Sequence, residues 1–114
     1  MYMGEDDDAV LALLDDEYAR AILAHLTIEP MSVDDLCTAC EMSDSTAYRR
    51  LDRLHDAGLV TERQEFDPDG HHYKQYVATV ENVTVTFTDG GYEVAVTRST
   101  DPADRFTDLF EGLS

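Results

Sequence analysis

The stretch from residue 33 to residue 60, VDDLCTACEMSDSTAYRRLDRLHDAGLV, constrains the fold more than any other part of the chain. Ser32 precedes it with Asp35 three residues on, a capping-box pattern in which two side chains satisfy free N–H groups at a helix start. Val33, Leu36, Cys37 and Cys40 then fall at i, i+3, i+4 and i+7, one face of a two-turn helix. Glu41-Met42-Ser43 is short enough for a turn, and Ser43 is placed to cap a second helix. Ala47, Leu51 and Leu54 share one face of that helix. Gly58 ends it, because glycine tolerates the left-handed backbone just past a helix terminus. Two helices joined by about three residues, with small side chains at the crossing, predict a helix-turn-helix.

Turning the second helix at about 100° per residue shows what faces away from the core. With Ala47 inward, Ser45 and Arg49 point outward, Thr46 and Arg53 lie beside them, and Tyr48 and Arg50 flank the apolar stripe. Arginine can donate a bidentate pair to guanine or grip phosphate, and hydroxyls can do either job. These six residues are therefore candidate DNA contacts, on a helix whose N-terminal half enters the major groove in such motifs. Asp44, Asp52 and Asp56 sit on or near the same side and oppose close approach to phosphate. A solvated face with ordinary ion pairs is the competing reading.

The run Met42 to Leu51, continued by Leu54 and Ala57-Gly58-Leu59-Val60, resembles the recognition-helix signature of ArsR-type winged-helix regulators. Leu13 to Leu23, LLDDEYARAIL, is similar to that family's first-helix pattern. The resemblance covers roughly residues 10 to 77. It departs at Asp44, where the family often carries an amide. It implies a homodimeric regulator that binds double-stranded DNA at an operator, with no enzymatic activity and no cofactor.

A wing is expected next. Leu59 to Phe66 alternates in part, Asp67-Pro68-Asp69-Gly70 is a strong turn, and His71 to Val80 resumes a strand pattern. Arg63, His71, His72 and Lys74 are placed to meet the DNA backbone from this hairpin. The paired histidines invite a metal reading, but adjacent strand residues point to opposite faces and rarely share one ion. No metal is expected.

The formal net charge of −17 opposes any DNA-binding reading, since such domains are ordinarily basic. The acid is unevenly spread. Ser43 to Lys74 carries five basic residues against seven acids, whereas the rest carries three against eighteen. Sixteen Asp, nine Glu, one Lys and seven Arg resemble the cytosolic proteins of extreme halophiles. At 1 M ionic strength the Debye length is about 3 Å, so a distant acidic face would scarcely act on DNA.

Cys37 and Cys40 lie within the first helix of the motif. Core packing is the expectation for both. A redox switch remains open, since oxidation there would distort the support of the second helix, and metal sensing is the weaker alternative because two ligands are too few for structural zinc. An enzymatic dithiol lacks its βαβ context. A chain of 114 residues suits one small domain, and it shows neither a signal-peptide pattern nor an apolar run of membrane-spanning length. A cytoplasmic protein without a membrane partner is expected.

The C-terminal third reads separately. Val83, Val85 and Phe87 alternate with polar residues, Asp89-Gly90-Gly91 turns the chain, and Tyr92, Val94 and Val96 alternate again. Asp101-Pro102 then starts a short helix striped by Phe106, Leu109, Phe110 and Leu113. So short a helix needs a partner surface, and a two-fold contact with the first helix around Val10 and Leu14 is expected. Together with the hairpin it resembles the extension of small haloarchaeal regulators, among them a regulator of oxidative stress.

The expected fold is thus α+β, mostly α: a winged helix-turn-helix core over residues 1–80, and a dimerising hairpin and helix over 81–114. Two readings of other classes stay open. One is a winged-helix protein-interaction module of a transcription assembly; the other is a cysteine-based redox switch protein.

Overall fold

The computed structural model describes residues 4–99. In chain order they form four helices and two antiparallel hairpins: α1 (Gly4–Asp15), α2 (Glu17–Leu26), α3 (Val33–Cys40), α4 (Asp44–Asp56), β1 (Val60–Phe66), β2 (His72–Ala78), β3 (Val80–Thr88) and β4 (Gly91–Arg98). The α+β, winged-helix-like arrangement agrees with the sequence reading. The short helix expected around Phe106, Leu109, Phe110 and Leu113 lies outside the described residues.

Two compact units meet at Ala78/Thr79. In the first, the capping box closes as its residue types require: Ser32 Oγ accepts from the Asp35 N–H, and Asp35 Oδ2 accepts from the Ser32 N–H. Ser43 Oγ likewise accepts from the Thr46 N–H to start α4. Gly58, at φ 76°, takes the left-handed conformation beyond that helix. The helices enclose a core of Leu13, Ala19, Ile22, Leu36, Ala47, Leu51, Leu54 and Leu59, each almost wholly buried. Leu36, Ala47, Leu51 and Leu54 are positions that the helical periodicity marks as inward, and burial of about 25 cal/mol per Å² of apolar surface falls there.

One element differs from the family pattern over Leu13 to Leu23. The helix breaks at Asp16, whose extended backbone and capping side chain end α1 and begin α2. Asp16 Oδ1 accepts from the N–H groups of Tyr18 and Ala19, so a single carboxylate initiates the second helix.

The wing is the β1–β2 hairpin, paired from Val60↔Ala78 to Phe66↔His72. Its base is fixed to the helices. Met31, in the connection before α3, exchanges both backbone hydrogen bonds with Tyr76, at 2.7 and 3.2 Å. Leu59, Val60 and Tyr76 are buried there.

The second unit contains the β3–β4 hairpin, in register from Val83↔Val96 through Val85↔Val94 to Phe87↔Tyr92. This is the single apolar face predicted from alternation. Asp89 and Gly90, at φ 54° and 80°, form the two-residue connection, with both positive dihedrals that such a loop requires.

Candidate nucleic-acid interface

Helix α4 presents two chemically distinct sides. Ala47, Leu51 and Leu54 face the core, while Ser45, Tyr48, Arg49 and Arg53 are exposed. Ser45, Arg49 and Arg53 follow one another at i, i+4 and i+8, so they line up along the outer surface. Among the described residues, no acid lies within ion-pair distance of Arg49 or Arg53. Thr46 is half-buried and its Oγ1 accepts from Ser43 Oγ at 3.0 Å, which draws it toward the helix cap.

Arg50 takes a different direction from its neighbour. Its Nε donates to Asp16 Oδ2 at 2.9 Å, and its guanidinium lies over the Tyr18 ring, 5.6 Å from the centroid. The side chains of Arg50 and Asp16 are only 18% and 17% exposed. Arg50 therefore holds α4 to the start of α2, an intramolecular role that sequence position alone did not disclose. Partial burial acts to raise the Asp16 pKa, but the Ala19 N–H, the Arg50 charge and hydrogen bond, and the Tyr18 N–H outweigh it. Its carboxyl is held below the ordinary value.

The wing brings its basic residues to the surface in compensated form. Lys74 Nζ is 3.5 Å from Glu62, and Arg63 Nε is 3.4 Å from Glu65. Such exposed pairs contribute little and open readily toward a competing anion. Lys74 also lines an open cleft with Tyr48, Tyr76, Ser32, Val33 and Asp34, so the structure brings the wing and α4 together around it. His71 and His72 are exposed at the wing tip. His71 faces Asp67 at 3.4 Å, whereas His72 packs edge-on against Phe66 with ring centroids 4.3 Å apart. The two imidazoles thus have separate neighbours. Asp67, Asp69 and His71 do gather at the turn, because Asp67 Oδ1 accepts from both the Asp69 and His71 N–H groups.

The cysteines are less deeply placed than a core role requires. Both are free and half-buried. Cys37 donates its thiol proton to Asp44 Oδ1 at 3.2 Å, across the turn between α3 and α4. Desolvation, then the hydrogen bond and negative charge of Asp44, push that thiol up to about 11. Burial also raises the Cys40 thiol, whose Sγ is 3.6 Å from His25 Nδ1. The thiolate is the reactive species, so both environments disfavour nucleophilic or redox chemistry near neutral pH. The Cys37 contact also gives Asp44, the departure from the family pattern, a place in the turn.

The expected dimer residues divide. Val10 is 5% exposed within the single chain and offers little further surface, whereas Leu14 is half-buried. Asp16, Tyr18 and Tyr76 were not singled out from sequence. An acid between two helical runs is a detectable cap signal at Asp16, but nothing local marks Tyr18 or Tyr76 as supports of α4 and the wing.

No helix among the described residues is long and apolar enough to cross a membrane. No curated protein matches the chain. Residues 14–63, from the end of α1 to the middle of β1, match the family model of a helix-turn-helix domain.

Proposed function

We propose that the protein is a sequence-specific DNA-binding transcription regulator. It binds a pseudo-palindromic operator as a homodimer, with α4 in the major groove and the β1–β2 wing along the backbone. The observation that carries this reading is the exposed line of Ser45, Arg49 and Arg53, whose two cations have no acidic partner among the described residues. A solvated helix face in a chain of net charge −17 would be expected to pair its few cations, and these two are left available. Tyr48 and Lys74 supply backbone contacts from the two sides of their shared cleft, with Arg63, His71 and His72 further along the wing. Helix α1 contributes Leu14 to the two-fold contact, which would set two recognition helices roughly one DNA turn apart.

The acidic remainder adapts this binding to concentrated salt. Counterion release ordinarily makes affinity fall steeply with salt. An acidic protein can take up cations as it approaches DNA, so a shallow or inverted dependence is expected here. The experiment is a gel shift with the full chain and duplexes from its own promoter, across a KCl series reaching molar concentration. Specific binding that survives high KCl and disappears in an Arg49→Ala, Arg53→Ala variant supports the reading. Binding retained by that variant would favour a protein-interaction module instead. The resemblance of the C-terminal extension to a haloarchaeal regulator of oxidative stress extends the proposal to an oxidative signal, tested by repeating the assay with oxidant.

A further inference from the structure

Arg49 and Arg50 are adjacent in sequence, yet one is exposed without an acidic partner and the other is committed to Asp16. We propose that Asp16 and Arg50 are a positioning pair that sets the rotation of α4 about its own axis, and so the aim of Ser45, Arg49 and Arg53. This rests on the DNA-reading role proposed above.

The need for such a device follows from the core itself. Ala47, Leu51 and Leu54 bury α4, but apolar contact is non-directional and tolerates small rolls of a helix against its neighbours. Side chains extend to a radius of about 5–6 Å, so a roll of about 20° displaces their ends by about 2 Å. Hydrogen bonds to base edges fail well before that, since their useful range spans only about half an ångström. A directional bond on the flank of the helix removes this freedom.

The Asp16–Arg50 contact has the required geometry. Arg50 lies near the middle of α4, beside Arg49. Its Nε meets Asp16 Oδ2 at 2.9 Å while the Tyr18 ring lies beneath its guanidinium at 5.6 Å, so it is constrained by both a bond and a face. Asp16 is itself immobilised, because its other oxygen holds the Tyr18 and Ala19 N–H groups. Low exposure of both partners shields the pair from water, which separates it from the exposed pairs of the wing. Asp16 also stands at the joint of α1 and α2, so the aim of α4 is referred to that joint and not merely to the apolar core.

The test uses the full chain in concentrated KCl. A duplex selected from a random pool by the wild-type protein is compared with a scrambled duplex of the same composition. Asp16→Asn keeps an oxygen to cap α2, since asparagine and aspartate cap about equally well, but removes the charge that orients Arg50. On simple electrostatics, deleting a negative charge strengthens DNA binding. A positioning role predicts the opposite for the selected duplex: about a tenfold loss of preference over the scrambled one, with scrambled binding unchanged or stronger. Arg50→Ala is expected to give a similar loss, and the double variant no more than either single one. Arg50→Lys, which keeps the charge but lacks the planar fork, is expected to restore scrambled binding and only part of the preference. Preference left intact in Asp16→Asn, or losses that add in the double variant, would overturn the proposal. Should Asp16→Asn fail to fold by circular dichroism, the Arg50→Lys result decides, and full preference there overturns it. If the wild-type chain selects no duplex at all, the DNA-reading role itself fails and the positioning role falls with it.

Discussion

The two hairpins are built to the same plan and used differently. Both are two-stranded and antiparallel, and each is closed by a turn with aspartate and glycine. The β1–β2 hairpin is rooted: Tyr76 is 4% exposed and its backbone is bonded to Met31, while Arg63, Lys74 and the two histidines ride on the outer part. The β3–β4 hairpin instead shows a continuous apolar face of Val83, Val85, Phe87, Tyr92, Val94 and Val96, ending in a Phe87 that is 78% exposed. Alternation alone describes a half-buried strand in both cases. What distinguishes them is the set of basic and histidine side chains that the first carries, and these make it a candidate DNA-contacting wing.

The strongest way to break this contrast is at the root of the wing. Tyr76→Ala should cost about 3–5 kcal/mol, as for other buried aromatic truncations, whereas Phe87→Ala should stay within about 0.5 kcal/mol. Urea unfolding measures both, and equal midpoints would erase the distinction. Next in size is the chemistry that the rooted hairpin accompanies. Arg49→Ala should lose about 1–3 kcal/mol of affinity for a selected duplex, with unfolding unchanged, and Glu93→Ala on the second hairpin serves as the control. A gain of similar size from Glu93→Ala would mean that general charge, and not a reading edge, is being measured.

Gly90→Ala should cost about 1–2 kcal/mol through the strained left-handed backbone, although open space surrounds the added carbon. DNA affinity should not change with it. The smallest effect concerns acid. Because the Asp16 carboxyl is held below its ordinary value in the fold, its contribution is present above the unfolded carboxyl's pKa. It is lost as the pH falls through the lower, folded value. Asp16→Asn should therefore flatten the acid limb of stability in that window while leaving the Tyr76 and Phe87 contrast intact, and an unaltered limb would remove Asp16 from the account.

Much of the first unit was legible because its signals are local. Ser32, Ser43 and Gly58 act within one helical turn, so their residue types predict their geometry. The apolar stripe of α4 and the turn at Asp67-Pro68-Asp69-Gly70 are also short-range patterns. The outer line of Ser45, Arg49 and Arg53 followed from helical periodicity for the same reason. Arg50 did not, because periodicity placed it on a flank without saying what would lie there.

The sequence by itself determined where α3 and α4 begin and end, which face of α4 is apolar, and the turns of both hairpins. Tertiary structure decided three things. Asp16 was brought to Arg50 across 34 residues, Met31 to Tyr76 across the helices between them, and the Cys37 thiol to Asp44 at the turn. The physical reason is common to all three. A cap or a stripe is satisfied by neighbours in sequence, whereas the partner of a flanking charge, a strand root or a thiol is whichever group the packed core leaves within reach. Two adjacent arginines thereby acquired opposite tasks, one facing outward and one holding the helix that presents it.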